Sequence, residues 1–381
     1  FLSFNGCTSF AAWGPATARG HLIVGRNFDF EIGDLFDRFK VVQIVCPEQG
    51  IPFISISWAG MSGVVTGVNQ KKLAVTLNAA TSDDRRAKGT PVTVMARTIL
   101  QQASTLEQAV EILSRFDSYI SESFLVADGK TGLALVVEKS PRQTLVRKAD
   151  HFPYALVCVN HFFSSPFQHH RNHVRFVNEG SSPRRLGRAN ELLGRFMGKI
   201  DPSVAAEILR DHKFEKDEDH GMAHLHTLNP SICSHSVIMD LTEGTLWVSQ
   251  GPHQSGKYLA ISIEKAFDLA PERSCVMQEQ NIAPDPFITP EKVAQLTSWQ
   301  EAVRQWESRG KSASIEQLEE WVCSMENQNP RHFLTRLARG DLFFRKRQIE
   351  KARHCWKESL DSRPYGEWTR PILIRLEKGG F

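Results

Sequence analysis

The chain has 381 residues, of which 41% are hydrophobic and 23% charged, and its formal net charge is +3. This composition is typical of folded globular proteins and excludes a fibrous or disordered chain. The near balance of charges predicts no nucleic-acid partner. The apolar runs are far shorter than the roughly 18 residues of a membrane helix, so the sequence predicts no membrane span.

The length predicts about two domains. From Gly20 to Ile263, short β-rich runs alternate with Gly, Asn and Asp turns, and the turns Ala127–Lys130 and Thr242–Gly244 favour antiparallel hairpins. The predicted strands, in chain order, are His21–Gly25, Val41–Val45, Phe53–Trp58, Gly63–Val68, Leu73–Leu77, Phe124–Ala127, Gly132–Glu138, Ala155–Asn160, Ser236–Asp240, Thr245–Gln250 and Tyr258–Ile263.

Two segments of this region have helical periodicity. The first is Pro91–Phe116, in which Thr105 and Gln108 form a capping-box pattern that divides the segment into two helices. The second is Arg184–Met197. Strands, helices, more strands and a further helix together predict an α+β layered sandwich whose helices cover the sheet faces.

The C-terminal part has a different pattern. Residues 271–290 are rich in proline and predict a linker, whereas residues 291–381 have helical character. Small and large residues alternate there as in a tetratricopeptide-like helical hairpin, at Gly340, Phe343, Ala352, Trp356 and Pro364. Because one such hairpin cannot bury its own face, we expect the tail to pack on preceding helices or on the main body. A stabilising appendage is favoured, and a homo-oligomer or protein partner bound through the tail is the alternative.

The cysteines predict at least one free thiol. They are odd in number, without C-x-x-C spacing, at Cys7, Cys46, Cys158, Cys233, Cys275, Cys323 and Cys355. Free thiols favour a reducing compartment. The chain starts with Phe1 instead of Met, which indicates a processed or trimmed chain, and a removed leader is compatible with export. Cytoplasmic and exported locations therefore both stay open.

The Gly6–Cys7 bond is the first candidate for chemistry. A cysteine nucleophile needs a base, and an α-amino group at a chain terminus, with a pKa of about 7.7 to 8.0, can serve as one. Glycine before the cysteine lets the backbone adopt strained geometry while the thiol attacks the preceding carbonyl. We therefore predict self-cleavage between Gly6 and Cys7, with residues 1–6 as a residual propeptide.

Four stretches resemble one enzyme family. Gly6–Gly14 and Gly25–Phe30 are similar to the start of the acyl-coenzyme A:6-aminopenicillanic acid acyltransferase family, peptidase C45, which belongs to the N-terminal nucleophile hydrolases. Val126–Glu138 resembles its midsection, and Ser236–Gly251 resembles its closing strands. The resemblance implies a four-layer αββα sandwich over residues 7–270, with an all-helical C-terminal appendage outside it.

The resemblance also implies roles for three residues. Cys7 would be the nucleophile, with its own freed amine as the base. The guanidinium of Arg26 would hold the thiolate and lower the cysteine pKa, and the carboxylate of Asp29 would orient the amine. Residues three apart in a regular strand face opposite sides, so both can reach one site only if the strand bends near Asn27.

Two asparagines and an arginine complete the implied catalytic set. Asn78 and Asn160 match asparagines of the family and its relatives, and a side-chain amide is a suitable oxyanion donor. Asn160 is the stronger match, because Asn78 has a turn or capping role as its alternative. Arg185 matches the arginine of the choloylglycine relatives, whereas Arg171 and Arg175 lie at the spacing of the ceramidase branch.

The histidines between His212 and His226 raise the question of a metal. His220 and His224 are spaced for one helix face that could bind zinc, but Gly221 and the neighbouring charges favour a loop. We expect a solvated loop near the substrate mouth, with no metal and no cofactor.

Together these features predict an autoprocessed enzyme that hydrolyses or transfers the acyl group of a small linear amide or acyl thioester. The acyl group would be held as a thioester on Cys7. Two other classes stay open. One is a catalytically silent scaffold that binds a protein through its helical tail, and the other is a papain-like protease with a distant histidine as its base.

Overall fold

The computed structural model describes residues 6–30, 35–149, 151–268 and 274–378, so all of the predicted propeptide except Gly6 lies outside the described residues. The strands are β1 (Thr8–Gly14), β2 (Gly20–Asp29), β3 (Lys40–Val45), β4 (Phe53–Trp58), β5 (Thr66–Asn69), β6 (Leu73–Ala79), β7 (Glu122–Asp128), β8 (Leu133–Lys139), β9 (Thr144–Arg147), β10 (Ala155–Cys158), β11 (Cys233–Asp240), β12 (Thr245–Ser249) and β13 (Tyr258–Ser262). All their pairings are antiparallel.

The strands form two sheets. One has the order β10-β1-β2-β11-β12-β13, and the other has β3 to β9 in sequence order. The helices are α1 (Leu35–Arg38), α2 (Val92–Gln102), α3 (Leu106–Arg115), α4 (Arg171–Glu179), α5 (Ser182–Arg195), α6 (Pro202–Leu209), α7 (Ile263–Ala266), α8 (Pro290–Arg309), α9 (Ile315–Gln328), α10 (Phe333–Arg345), α11 (Ile349–Asp361) and α12 (Gly366–Lys378).

Strand β1 shows how the layers are built. Successive side chains of a strand point to opposite faces, so Ala11 packs into the core between the two sheets, and Phe10 packs outward against α5 and α6. The outer face of the second sheet packs in the same way against α2 and α3. The four-layer αββα sandwich expected from the sequence is therefore confirmed.

The strand predictions missed β1 and β9. Strand β1 contains serine and alanine, which have little β propensity, but it lies between β2 and β10 and is buried on both faces. Strand β9 has only four residues at a sheet edge. The helical pattern also missed α4, whose residues are mostly polar and exposed, and the short α6.

The C-terminal helices α8 to α12 share a hydrophobic core of their own. They also contact the αββα body, as expected from the sequence. The side chain of Asn329 bonds to both backbone groups of Met222, and the Tyr365 hydroxyl accepts a hydrogen bond from the Leu225 nitrogen. No helix in the described ranges is long and apolar enough to cross a membrane. The tetratricopeptide assignment of α10 and α11 and the domain boundaries stay predictions.

Part of the segment predicted as a linker runs beside β13. The Met277 nitrogen donates to the Ala260 carbonyl, and Ile282 exchanges backbone hydrogen bonds with Tyr258. These contacts anchor the segment to the six-stranded sheet before α8 begins. Helix α8 starts at Pro290, one residue before the predicted helical region of residues 291–381, and the Thr289 side chain accepts from the Lys292 nitrogen.

Gly340 sets the close approach of α10 and α11. A Cβ atom there would overlap the ring of Trp356, which is fully buried and donates to Asp341 Oδ1 over 3.0 Å. We expect Gly340→Ala to lower the free energy of unfolding by about 1 to 3 kcal/mol despite its better helix propensity. Thermal denaturation measures this, with exposed Lys357→Ala on α11 as the control. Equal melting temperatures for the two variants would contradict this packing.

Candidate active site

Six predicted site residues lie together at one end of the sandwich. Each is 3% exposed or less, and we call them the buried polar cluster: Cys7, Arg26, Asp29, Asn78, Asn160 and Arg185. The strand registers explain the meeting. Antiparallel pairing of β1 with β10 sets Ser9 opposite Cys158, which brings Cys7 level with Asn160. On the other side of β1, the Gly6 nitrogen donates to the Asp29 carbonyl over 3.1 Å.

Asn160 and Arg185 both contact Cys7 directly. The Cys7 nitrogen donates to Asn160 Oδ1 over 2.8 Å. Arg185 Nη2 donates to the same Oδ1 over 2.6 Å, and its Nη1 donates to the Cys7 carbonyl over 2.6 Å. The other candidate arginines, Arg171 and Arg175, are exposed on α4. The structure thus brings Arg185, and neither alternative, to the cysteine.

Asn78 has a different position from the one expected of an oxyanion donor. Its Oδ1 accepts from Arg26 Nη1 over 2.7 Å and from Ser9 Oγ over 2.9 Å, and its Nδ2 donates to the Cys158 carbonyl over 3.1 Å. It lies within β6 instead of in a turn. Asn78 therefore reaches across from the second sheet to hold Arg26, and makes no hydrogen bond to Cys7.

Arg26 and Asp29 act on one site although they are three residues apart in β2. The register between β2 and β11 shifts by one residue between Cys233 and His235, opposite Phe28 and Asp29. Such an irregularity bends the ladder and re-aims side chains. The charges of both Arg26 and Asp29 influence the Cys7 thiol. The extra residue of this register shift, Ser234, belongs to β11, and β2 stays in regular register with β1 at Arg26 and Asn27, so the expected bend of β2 near Asn27 stays a prediction.

The pKa of Cys7 is set by burial as well as by the neighbouring charges. Burial raises the thiol pKa above its ordinary value, and although Arg26 and Arg185 lower it, the charges of Asp29 and Glu122 raise it further. Arg26 acts in the expected direction, but desolvation of the thiolate outweighs its attraction, so the net shift of the thiol pKa is upward. The thiol is neutral at pH 7 and needs a base to react.

Asp29 is also perturbed. Burial raises its pKa to about 7, against the opposing effects of Arg185, Arg26 and the Cys233 thiol. Neither carboxylate oxygen accepts a hydrogen bond from a nitrogen or oxygen donor among the described residues. A carboxyl group that is half ionised near neutral pH can both take up and release a proton.

Glu122 is a buried acid that the sequence analysis missed. It begins β7 opposite Ala79, next to the pair formed by Asn78 and Ser123. Burial raises its pKa to about 8, and Arg26 opposes this shift. The sequence signal that could have indicated Glu122 is its position as an acidic residue shortly before the apolar predicted strand Phe124–Ala127.

The histidine segment differs from the expected solvated loop. It is irregular, but His224 and His226 are buried, and their rings make tilted and edge-on contacts with each other and with His332 and Tyr365 of the helical tail. Burial lowers the pKa of His226 and of His332 to about 3, so both rings are neutral. Among the described residues, no group of three His, Cys, Asp or Glu side chains is arranged to hold a metal ion.

The αββα layers and the buried polar cluster indicate a class of amide hydrolases and acyltransferases. This class is related to the N-terminal nucleophile hydrolases. The chain belongs to the acyl-coenzyme A:6-aminopenicillanic acid acyl-transferase family, whose model matches residues 16–253. The family resemblance inferred from the sequence motifs is thereby confirmed. The match begins after Cys7 and therefore does not include this residue.

Several known proteins are similar to parts of the chain. The N-acylethanolamine-hydrolyzing acid amidase of Caenorhabditis elegans is 26% identical over 144 residues, 35% of this chain and 40% of that protein. The Cavia porcellus enzyme of the same name is 27% identical over 148 residues, 35% and 39% of the two chains. The matches thus span at most about two fifths of these curated relatives.

Solved structures are similar at lower identity. The structure of a Caenorhabditis elegans ortholog of that amidase aligns with a TM-score of 0.45 and 19% identity, over 62% of this chain and 93% of that one. A variant of the conjugated bile acid hydrolase from Clostridium perfringens aligns with a TM-score of 0.45 and 12% identity, over 74% and 100% of the two chains.

Proposed function

We propose that the chain is an autoprocessed cysteine amidase or acyltransferase in which Cys7 carries the acyl group as a thioester. The hydrogen bond from the Cys7 nitrogen to Asn160 Oδ1 supports this most directly. It holds the nitrogen that cleavage after Gly6 would convert into a free amine, beside the thiol of the same residue. Arg185 fixes the asparagine and the Cys7 carbonyl in this arrangement.

Self-cleavage is the first step of the proposal. The Cys7 sulfur bonds to the Gly6 carbonyl carbon, the bond to the Cys7 nitrogen breaks, and the thiol proton ends on that nitrogen. Before cleavage no α-amine exists, and we assign the transfer of this proton to Asp29, whose pKa is about 7. Water then cleaves the thioester, which releases the preceding segment with a carboxyl group on Gly6 and restores the thiol.

Turnover uses the freed amine as the base. Because burial raises the thiol pKa, the thiol does not ionise by itself at pH 7. The α-amine takes its proton as the sulfur attacks the acyl carbon of an amide, and gives this proton to the departing amine. The Asn160 side-chain amide donates one hydrogen to the Ala79 carbonyl, and we assign its second hydrogen to the oxyanion.

The proposed substrate is a small linear acyl amide or an acyl thioester. Two relatives are named for hydrolysis of N-acylethanolamines, which supports an acyl amide as the first choice. Hydrolysis and transfer differ only in whether water or a second amine resolves the thioester. No cofactor takes part in these steps.

Mass spectrometry of the purified chain tests this function. We expect the wild type to begin at Cys7 and to hydrolyse at least one member of a panel of linear acyl amides, whereas Cys7→Ala retains residues 1–6 and has no turnover. Cys355→Ala removes a buried thiol from the helical tail and serves as the control. Added hydroxylamine would trap the acyl group and separate transfer from hydrolysis. Processing and turnover that survive in Cys7→Ala would exclude the proposal.

A further inference from the structure

Glu138 is a buried carboxylate that the mechanism above does not use. It lies in β8 of the seven-stranded sheet and has no exposed surface. Its Oε1 accepts from the Phe163 nitrogen over 2.7 Å, and its Oε2 accepts from the Ser164 nitrogen over 2.9 Å. Hydrogen bonds to an ionised acceptor are stronger than neutral ones. The side chain therefore fastens the turn that follows Asn160 to the opposite sheet.

Arg147 fastens the chain on the other side of Asn160. It lies in β9, with its Nε 3.5 Å from Glu138 Oε1, and its Nη2 donates to the Val157 carbonyl over 2.6 Å. Its guanidinium also lies over the Phe163 ring, 4.2 Å from the centroid. Val157 and Phe163 are each three residues from Asn160, so the two charged side chains hold both flanks of this asparagine.

We propose that Glu138 and Arg147 are positioning residues that set the place of Asn160 beside Cys7. This inference rests on the proposed function. The Asn160 side chain accepts from Arg185 and from the Cys7 nitrogen and donates to the Ala79 carbonyl, and its backbone nitrogen donates to Ser182 Oγ. Beyond Asn160, the His161 ring also bonds to Ser182 Oγ, and the Phe162 carbonyl accepts from Gln168 Nε2. The next two backbone nitrogens, those of Phe163 and Ser164, are held by Glu138. Neither Glu138 nor Arg147 touches the reacting atoms.

The effect on the reaction follows from the geometry of Asn160. A displacement of about 1 Å at a catalytic group can lower a rate about a hundredfold. In Glu138→Gln, the amide oxygen accepts from one of the two backbone N–H groups. The amide NH2 then faces the other N–H group, and because both are donors, no hydrogen bond forms between them. The turn loses one of the two hydrogen bonds that Glu138 accepts from it, whereas the volume of the side chain stays about the same.

The decisive experiment compares Glu138→Gln with Asp128→Asn in the full chain. Asp128 is also a buried acid of the seven-stranded sheet that accepts from a backbone nitrogen, that of Lys130, but it lies at the opposite strand ends. We expect Glu138→Gln to lower kcat and the rate of Gly6–Cys7 cleavage about 10- to 100-fold, with KM changed less than about twofold. Asp128→Asn should change melting temperature alone.

Arg147→Lys supplies a second variant that keeps the charge. The shorter ammonium cannot reach Glu138 and the Val157 carbonyl together, so we expect kcat to fall about tenfold. If wild type is neither cleaved nor active, the proposed function fails and this inference fails with it. If wild type is active, and Glu138→Gln and Arg147→Lys both keep kcat within twofold of that of Asp128→Asn, the positioning role is overturned while the proposed function stands.

Discussion

Replacing Arg185 with methionine is expected to lower kcat for an acyl amide about a thousandfold, the upper end of the loss seen when one fixed hydrogen-bond donor is removed from an oxyanion hole. The substitution removes the donors to Asn160 Oδ1 and to the Cys7 carbonyl at once. It also removes a positive charge that lowers the pKa of Cys7 and of Asp29. Both the geometry and the electrostatics of the cluster depend on this one side chain.

Arg188 provides the matched control for this prediction. It lies one turn further along α5 and is equally buried, but it pairs with Asp211 and Asp217 away from Cys7. We expect Arg188→Met to reduce the melting temperature and to leave kcat per folded molecule unchanged. Arg185→Lys should recover part of the rate, because one ammonium replaces only one arm of the guanidinium fork. Turnover and mass spectrometry measure both effects. If Arg185→Met is still processed and active, Arg185 has no role in the active site.

Glu122→Gln is expected to stabilise the protein, and to do so more at higher pH. The pKa of Glu122 is raised from 4.5 to about 8 in the folded chain. An acid whose pKa is raised on folding stabilises the fold fully below pH 4.5, and this contribution is lost as the pH rises to about 8. Glutamine does not titrate, so the variant keeps the folding stability that the wild type loses as the pH rises.

The size of the effect follows from the same shift. Each pH unit between 4.5 and 8 corresponds to about 1.4 kcal/mol, so the stabilisation reaches several kcal/mol above pH 8. Denaturant unfolding of both proteins from pH 5.5 to 9 measures it. Glu320→Gln, which changes an exposed acid of α9, is the control, and its effect on the unfolding free energy should show no comparable dependence on pH. A difference in unfolding free energy that is constant with pH would show that Glu122 is ionised throughout.

Most of the sheet structure could be predicted from the sequence because turn residues interrupt the strands clearly. Phe53–Trp58 was predicted with the bounds that β4 has. β1 was missed because its burial comes from two neighbouring strands, and its apolar residues from Phe10 to Trp13 follow one another without alternation. α4 was missed because it has only nine residues, most of which are polar, so few apolar side chains were available to show a helical period.

The sequence alone determined the family, the layered α+β class and the candidate pair of Gly6 and Cys7, because each depends on residues that are close together in the chain. Only the tertiary structure decided which arginine meets the cysteine, since Arg171, Arg175 and Arg185 all lie on helices and differ in burial. It also added the burial that raises the thiol pKa against the pull of the two arginines. Desolvation and contacts between the two sheets arise from residues far apart in sequence, and local patterns do not encode them.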